Sequence, residues 1–588
     1  MSHDIVIRGA RLVDGTGAPA RTADIAVKDG RIAEIGKGLA AAREIDADGA
    51  LATPGFVDLH THYDGQVAWD GDLAPSSLQG VTTAVMGNCG VGFAPIRHDL
   101  RDELVRVFEG VEDIPGTALH EGMPWSWESY PEYLDAIDAL PHAIDFASHL
   151  THDALRLYVM GKRALAWESA SEDEIAAMAR LAREAMEAGA VGISTGRTRV
   201  HVTADGLMTP GYEAERDELT AIAGALRGLD HGVLQIVSDF RSANPDPNAN
   251  DEFLTMRAMV EASGGHPLSV SLLQGRDAPQ AWRRIVSWID GARAEGLPMR
   301  FQAGVRGVGV LMGLQTTIHP LMAKPGWQAM KALPLAEQVA RLRAPGMKAR
   351  LLAEANVKVA GEGTGLQEGV DRMLASMEAM AENLFEMADY PDYEPLPSRT
   401  IGAQARALGL RPMEVVYDRL LEDEGRNLLY FPVFNYTDMN LDAVREMLLH
   451  PAALTSLSDG GAHVATICDA SYATTLLSHW VRDRARGPRL GLEQAVRMLT
   501  SDIAGYLGFA DRGTVEVGKK ADLNIIDLSR LNARRPYIAN DLPAGGRRFL
   551  QEADGYLATL VSGEVIAENG RLSGARPGRL VRAGRLAA

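Results

Sequence analysis

The chain has 588 residues, 46% apolar and 23% charged, with a formal net charge of 59 − 78 = −19. At about 100–200 residues per domain this is a multi-domain chain or one large barrel with attachments, and its globular composition excludes disorder, collagen and coiled coil as the main architecture. The negative charge argues against a nucleic-acid or anionic-membrane partner, and two cysteines, Cys89 and Cys468, cannot make a disulfide framework.

The start, MSHDIVIRGA, carries acids and lacks the apolar stretch of a signal peptide, and no run reaches the ~18 apolar residues of a membrane span. The expectation is a soluble, cytoplasmic protein. Residues 3–53 alternate apolar with polar around Asp14-Gly15, Asp29-Gly30 and Asp48-Gly49, which is hairpin chemistry. The C-terminal stretch repeats the style, with turns at Val517-Gly518-Lys519 and Asn569-Gly570. One small β-sandwich module built from both ends, residues 1–54 and 506–588, is expected.

Between them, apolar runs alternate with helical patterns. The strand candidates are 56–62, 81–88, 143–148, 190–195, 233–239, 268–273, 299–304 and 454–459. The run LLYFPVF at 428–434 competes for the seventh place. A helix opens at the capping box Ser171–Glu174, stripes Ile175, Met178, Ala182 and Met186 on one face, and ends at Gly189. Further helices are expected within 213–228, 250–265 and 278–296. Eight buried strands alternating with helices argue for a (β/α)8 barrel over 55–505, with a mostly helical insertion at about 315–427.

The strongest chemical signal is Asp58-Leu59-His60-Thr61-His62, at the end of the first barrel strand. Residues two apart on a strand point the same way, so His60 and His62 would share the barrel mouth as a metal pair. Two core histidines bonded to backbone are the plainer alternative. Cys89, in Gly87-Asn88-Cys89-Gly90 after the second strand, would place a thiolate beside them, against a structural cysteine. Asp459, in Ser458-Asp459-Gly460-Gly461-Ala462-His463 after the eighth strand, suits proton transfer between water and a leaving amine. Asp239, ending the fifth strand, is a candidate oxygen ligand. His152, Arg197, Arg199, Arg241 and His463 are candidate substrate contacts, the arginines as clamps for a carboxylate. His201 lies in the same loop as Arg197 and Arg199. Two decoys fail. Gly192-Ile193-Ser194-Thr195-Gly196 fits a nucleophile elbow but no helix start follows, and Gly30 to Gly38 has the wrong spacing for a phosphate loop.

The β-module, PGFVDLHTHYDGQ, GNCG, the SDG after the eighth strand and RGTVEVGKKADLNIID together resemble the amidohydrolase superfamily, and Cys89 resembles its D-aminoacylase (N-acyl-D-amino-acid deacylase) branch. The resemblance spans nearly the whole chain. It implies His60, His62 and Cys89 as metal ligands and Asp459 as the catalytic acid and base. It also brings departures. A metal-binding His expected on the fifth strand meets Ser238-Asp239-Phe240-Arg241. A second His and a substrate-binding Lys on the sixth meet Ser271-Leu272-Leu273-Gln274, and a Tyr-rich seventh strand meets Phe301-Gln302-Ala303. The metal shell would then be rebuilt, with Asp239 as a member.

The reading is a zinc-dependent hydrolase, with one or two ions per chain, deacylating an N-acyl amino acid. A cyclic amide, carbamate or lactone substrate is the alternative, as is a non-catalytic scaffold. The expected partner is a small-molecule amide, with no nucleic acid and no membrane; homo-oligomerisation stays open.

Overall fold

The computed structural model describes residues 3–240, 246–248, 250–361 and 368–584. Eight parallel strands form one sheet: Phe56–Asp58, Val81–Met86, Asp145–Thr151, Gly192–Arg197, Val233–Ser238, Leu268–Leu272, Met299–Ala303 and Ala453–Thr455. Its two ends meet through a parallel bridge between Thr61 and Gly460. His62 N donates to Gly460 O at 2.7 Å and Asp459 N to His60 O at 3.1 Å. The sheet therefore closes, and this TIM-type barrel joins the His-x-His segment directly to the loop that carries Asp459. Val81–Met86 and Gly192–Arg197 are buried along their whole length, because helices cover one side and the barrel interior the other.

The helices follow their sequence signals. Glu172–Ala188 has the Ser171/Glu174 capping box and buries Met178, Ala182 and Met186; Gly189 ends it in the left-handed region. Asn250 caps Asp251–Ser263 by accepting from Phe253 N, and Arg216–Ala223 and Ala281–Ala294 lie within the expected ranges. Among the described residues no helix is long and apolar enough to cross a membrane.

The seventh strand is Met299–Ala303. The competing run, Leu429–Phe434, instead pairs antiparallel with Val308–Met312 and with Phe385–Glu386 in a separate three-stranded sheet. Between these lie short helices such as Leu335–Leu342, Ile401–Leu408 and Pro412–Leu420. They bury Trp327, Val339, Leu351, Val416 and Tyr417 in an apolar core of their own.

Both chain ends build one nine-stranded sheet. Leu51–Pro54 pairs with His3–Leu12 on one side and Leu523–Ile526 on the other. Hydrogen bonding thus joins most strands of the expected sandwich into one continuous sheet, while Asn532–Ala533 with Ala553–Asp554 and Tyr537–Leu542 with Gly546–Leu550 form two small sheets of their own. Ile7, Ile25, Leu523 and Leu560 are central to its core. The turns at Asp29-Gly30 and Asn569-Gly570 have positive φ at both residues, as tight hairpins need. The stretch before Val517 is not a strand; the chain turns there, with Gly518 N bonded to Ile32 O at 2.7 Å. Arg512 Nη1, 2.7 Å from Asp145 Oδ2, and Lys520 on the same carboxylate tie the C-terminal segment to the third barrel strand.

Candidate active site

His60, His62 and Cys89 converge at the barrel mouth. One donor atom from each lies within 4.8 Å of the other two, and all three residues are buried. His60 Nε2 is 3.2 Å from Cys89 Sγ, and the two imidazole centroids are 5.2 Å apart. His60 Nδ1 donates to Gln302 Oε1 at 2.6 Å. That bond leaves the Nε2 lone pair facing the thiol and Asp459 Oδ1, 3.6 Å away. Gln302 is itself held by Ser456 Oγ at 3.1 Å and Ser269 Oγ at 3.0 Å.

Cys89 owes its position to a left-handed turn. Its φ is +58° between Gly87 at +77° and Gly90 at +83°. A Cβ on Gly87 would stand 2.6 Å from His149 O, and one on Gly90 2.6 Å from Gly196 N. Only glycine admits these backbone approaches. Gln235 Oε1 accepts from Cys89 N at 2.8 Å, and Ser194 Oγ from Gly90 N at 3.1 Å, which fix the turn over the fourth and fifth strands.

Burial sets the protonation of the cluster. It pushes His60 down to about 4 and His62 well below the usual imidazole value, so both rings are neutral donors near pH 7. Burial, with Asp459, Glu112, Asp64 and Asp153 nearby, pushes the Cys89 thiol well up. Burial also raises Asp459 to about 7. Neutral imidazoles and a thiol surrounded by carboxylates form a donor set that suits a divalent cation, which favours the thiolate on binding. Two donors of one tetrahedral zinc lie about 3.3–3.8 Å apart, given bonds of about 2.0–2.3 Å. The His60–Cys89 separation of 3.2 Å lies just below that range.

The remaining expected residues divide. His463, with φ +48°, stands close enough to His60, His62 and His201 for each to disfavour protonation of the next. Asp239 does not join them. It is exposed, and its carboxylate accepts from Thr198 Oγ1 at 2.5 Å and Arg199 N at 2.6 Å, so it closes a loop at the strand end. His152 is locked on both nitrogens, by Thr195 Oγ1 at 2.9 Å and Glu218 Oε1 at 2.8 Å. Arg197 forks onto Glu252 at 2.8–3.1 Å and onto Ala214 O at 2.7 Å, buried. Neither has a free group for a substrate. Arg199 is exposed and donates to Tyr212 OH at 3.0 Å. Arg241 lies outside the described residues.

Three participants escaped the sequence reading. Gln302 was visible only as a departure from a Tyr-rich strand. Gln235 is a single amide on an apolar strand. Glu112 ends the helix Arg101–Glu112 and puts Oε1 3.1 Å from His62 Nδ1. Its signal was an acid on the stripe of Leu104, Phe108 and Val111.

Gln302→Leu removes the acceptor that fixes the His60 tautomer. Metal affinity is expected to fall about 10–100-fold, the usual cost of losing such an orienting partner. Zinc titration of the chelator-stripped variant measures it; unchanged affinity would mean that Gln302 does not orient His60.

Comparison with known proteins shows the family. An uncharacterised protein of Mycobacterium tuberculosis is 28% identical over 630 aligned positions, spanning 100% of this chain and 97% of its own. A D-aminoacylase of Alcaligenes xylosoxydans xylosoxydans is 40% identical over 195 residues, 33% of this chain and 37% of that protein. In fold, the N-acyl-D-glutamate deacylase of Bordetella bronchiseptica, solved with zinc and a phosphonate inhibitor, superposes with a TM-score of 0.62 at 23% identity, covering 99% of this chain and 100% of that one. The amidohydrolase family matches residues 43–567, nearly the whole chain. About a third of the chain is thus similar to a D-aminoacylase, and the chain as a whole belongs to the amidohydrolase family.

Proposed function

We propose that the protein is a zinc-dependent hydrolase that deacylates an N-acyl amino acid. The observation that carries this reading is the convergence of His60, His62 and Cys89 within 4.8 Å, with Asp459 Oδ1 3.6 Å from His60 Nε2. The relatives' names support the substrate class, since they include a D-aminoacylase and deacylases of N-acyl-D-aspartate and N-acyl-D-glutamate.

His60, His62 and Cys89 would hold the ion. When bound there, a divalent cation supplies Lewis acidity for the amide carbonyl and makes water a better nucleophile near neutral pH. Asp459 carries the proton. It is 20% exposed, so it reaches the substrate side, where a positioned carboxyl can take and return a proton. It takes the proton of the attacking water and returns it to the leaving nitrogen. Gln302 holds the His60 Nδ1 proton away from this exchange.

The consumed side chains narrow the recognition question. Arg197 and His152 are paired internally, so the substrate carboxylate must be met by other groups at the mouth. A hydrolysis screen of N-acyl D- and L-amino acids, dipeptides and cyclic amides with zinc present tests the reading. Turnover of N-acyl amino acids is expected. Turnover confined to cyclic amides would replace the substrate class.

A further inference from the structure

The fifth and sixth barrel strands bring no donor to the cluster. Asp239 is turned into its own loop, and Gln274, whose Nε2 donates to Asp438 Oδ2 at 2.8 Å while its Oε1 is buried without a partner, follows the sixth strand as an uncharged side chain. Glu112 approaches from elsewhere. Its backbone O accepts from Val464 N at 3.3 Å, which pins the helix end to the loop after Asp459. Next to it, the Asp113 carboxylate accepts from Thr317 Oγ1 at 2.9 Å and Thr466 Oγ1 at 2.6 Å. The Glu112 side chain is 1% exposed.

Its surroundings do not compensate its charge. No Lys or Arg among the described residues pairs with it, and its charged neighbours are the acids Asp459 and Asp64. Oε1 is 3.1 Å from His62 Nδ1, yet off the line of a hydrogen bond; Nδ1 and Oε2 are both buried without a hydrogen-bond partner. A carboxylate in this setting needs a cation or a proton. The 3.1 Å separation falls between the spacings of two donors on one ion with bonds of about 2.0–2.1 Å, about 2.9 Å at right angles and about 3.4 Å in a tetrahedron.

We propose that Glu112 is a direct metal ligand, which acts with His62 in place of the donors absent from the fifth and sixth strands. This rests on the reading that the site binds a divalent cation. Glu112 stands outside the group of donors that all lie within 4.8 Å of one another, so it would reach an ion from the Nδ1 side of His62. The alternative is a positioning role, with Glu112 accepting from His62 Nδ1. Glu112→Gln separates the two, because the amide oxygen keeps the acceptor and loses the anionic donor.

The experiment titrates the chelator-stripped full chain with Co²⁺, followed by visible absorption, alongside the melting temperature of the metal-free protein. The expected result is at least about 10-fold weaker Co²⁺ binding by Glu112→Gln, with metal-free melting no lower than wild type. Equal affinity in both proteins overturns the ligand role and leaves the metal reading intact. A wild-type chain that binds no Co²⁺ overturns the metal reading itself, and the ligand role with it. If Glu112→Gln fails to fold, anomalous diffraction from zinc-loaded wild-type crystals decides. A Glu112 oxygen within about 2.3 Å of an ion is expected; a carboxylate clear of every ion overturns the proposal.

Discussion

Asp459→Asn should lower the turnover number by two or more orders of magnitude while the protein keeps its metal. Asp459 follows the eighth strand, and its backbone N–H on His60 O holds it at the closing seam of the barrel. Its φ is +48°, a left-handed conformation that Asn adopts as readily as Asp, so the loop should survive the change. What Asn loses is the proton. A positioned acid or base contributes about 10²–10⁴ in rate, which sets the expected size. Metal content and turnover are measured side by side on one preparation. Loss of the metal with the activity would make Asp459 a ligand and leave the proton transfer without a carrier. Asp239→Asn is the companion variant. Its carboxylate is spent on Thr198 and Arg199, so its metal content should match wild type.

Cys89→Ser should all but abolish tight metal binding, whereas Cys468→Ser should leave it unchanged. A serine hydroxyl stays protonated near pH 7, where a thiol beside a cation ionises. The two cysteines are both buried, so burial alone does not separate them. Their neighbours do. Cys89 has His60 Nε2 at 3.2 Å, while Cys468 Sγ donates to Gln551 Oε1 at 3.8 Å, with burial pushing the thiol up to about 12. Zinc per chain after dialysis reads the difference. Equal, small effects from both substitutions would return Cys89 to a structural role.

The barrel was legible because its strands announce themselves locally. Val81–Met86, and Gly192–Arg197 up to its final arginine, are unbroken runs of apolar or small residues, since both faces are buried. The seventh strand was ambiguous for the same reason. Met299–Ala303 and Leu429–Phe434 are both short and apolar, and only pairing partners distant in sequence distinguish them. In the site, His60 and His62 were readable as a spacing on one strand, and Cys89 as a residue between two glycines. Asp239 misled because a strand-end carboxylate can turn to its own loop as easily as to the mouth. Arg197 misled because its partner, Glu252, lies 55 residues on. Glu112 and Gln302 reach His62 and His60 from a helix end and from the seventh strand, two strands away around the closed barrel. No local pattern encodes such meetings; the closure of the sheet creates them.

The central claim is that amide hydrolysis here depends on an ion held by His60, His62 and Cys89. Its most direct test is to strip the full-length protein with a chelator, confirm by elemental analysis that it is metal-free, and assay N-acyl amino acid hydrolysis during stepwise return of zinc. The account predicts no turnover in the stripped protein and recovery that saturates at about one to two ions per chain, with no recovery in His60→Ala or His62→Ala. Full turnover by exhaustively metal-free protein would contradict it.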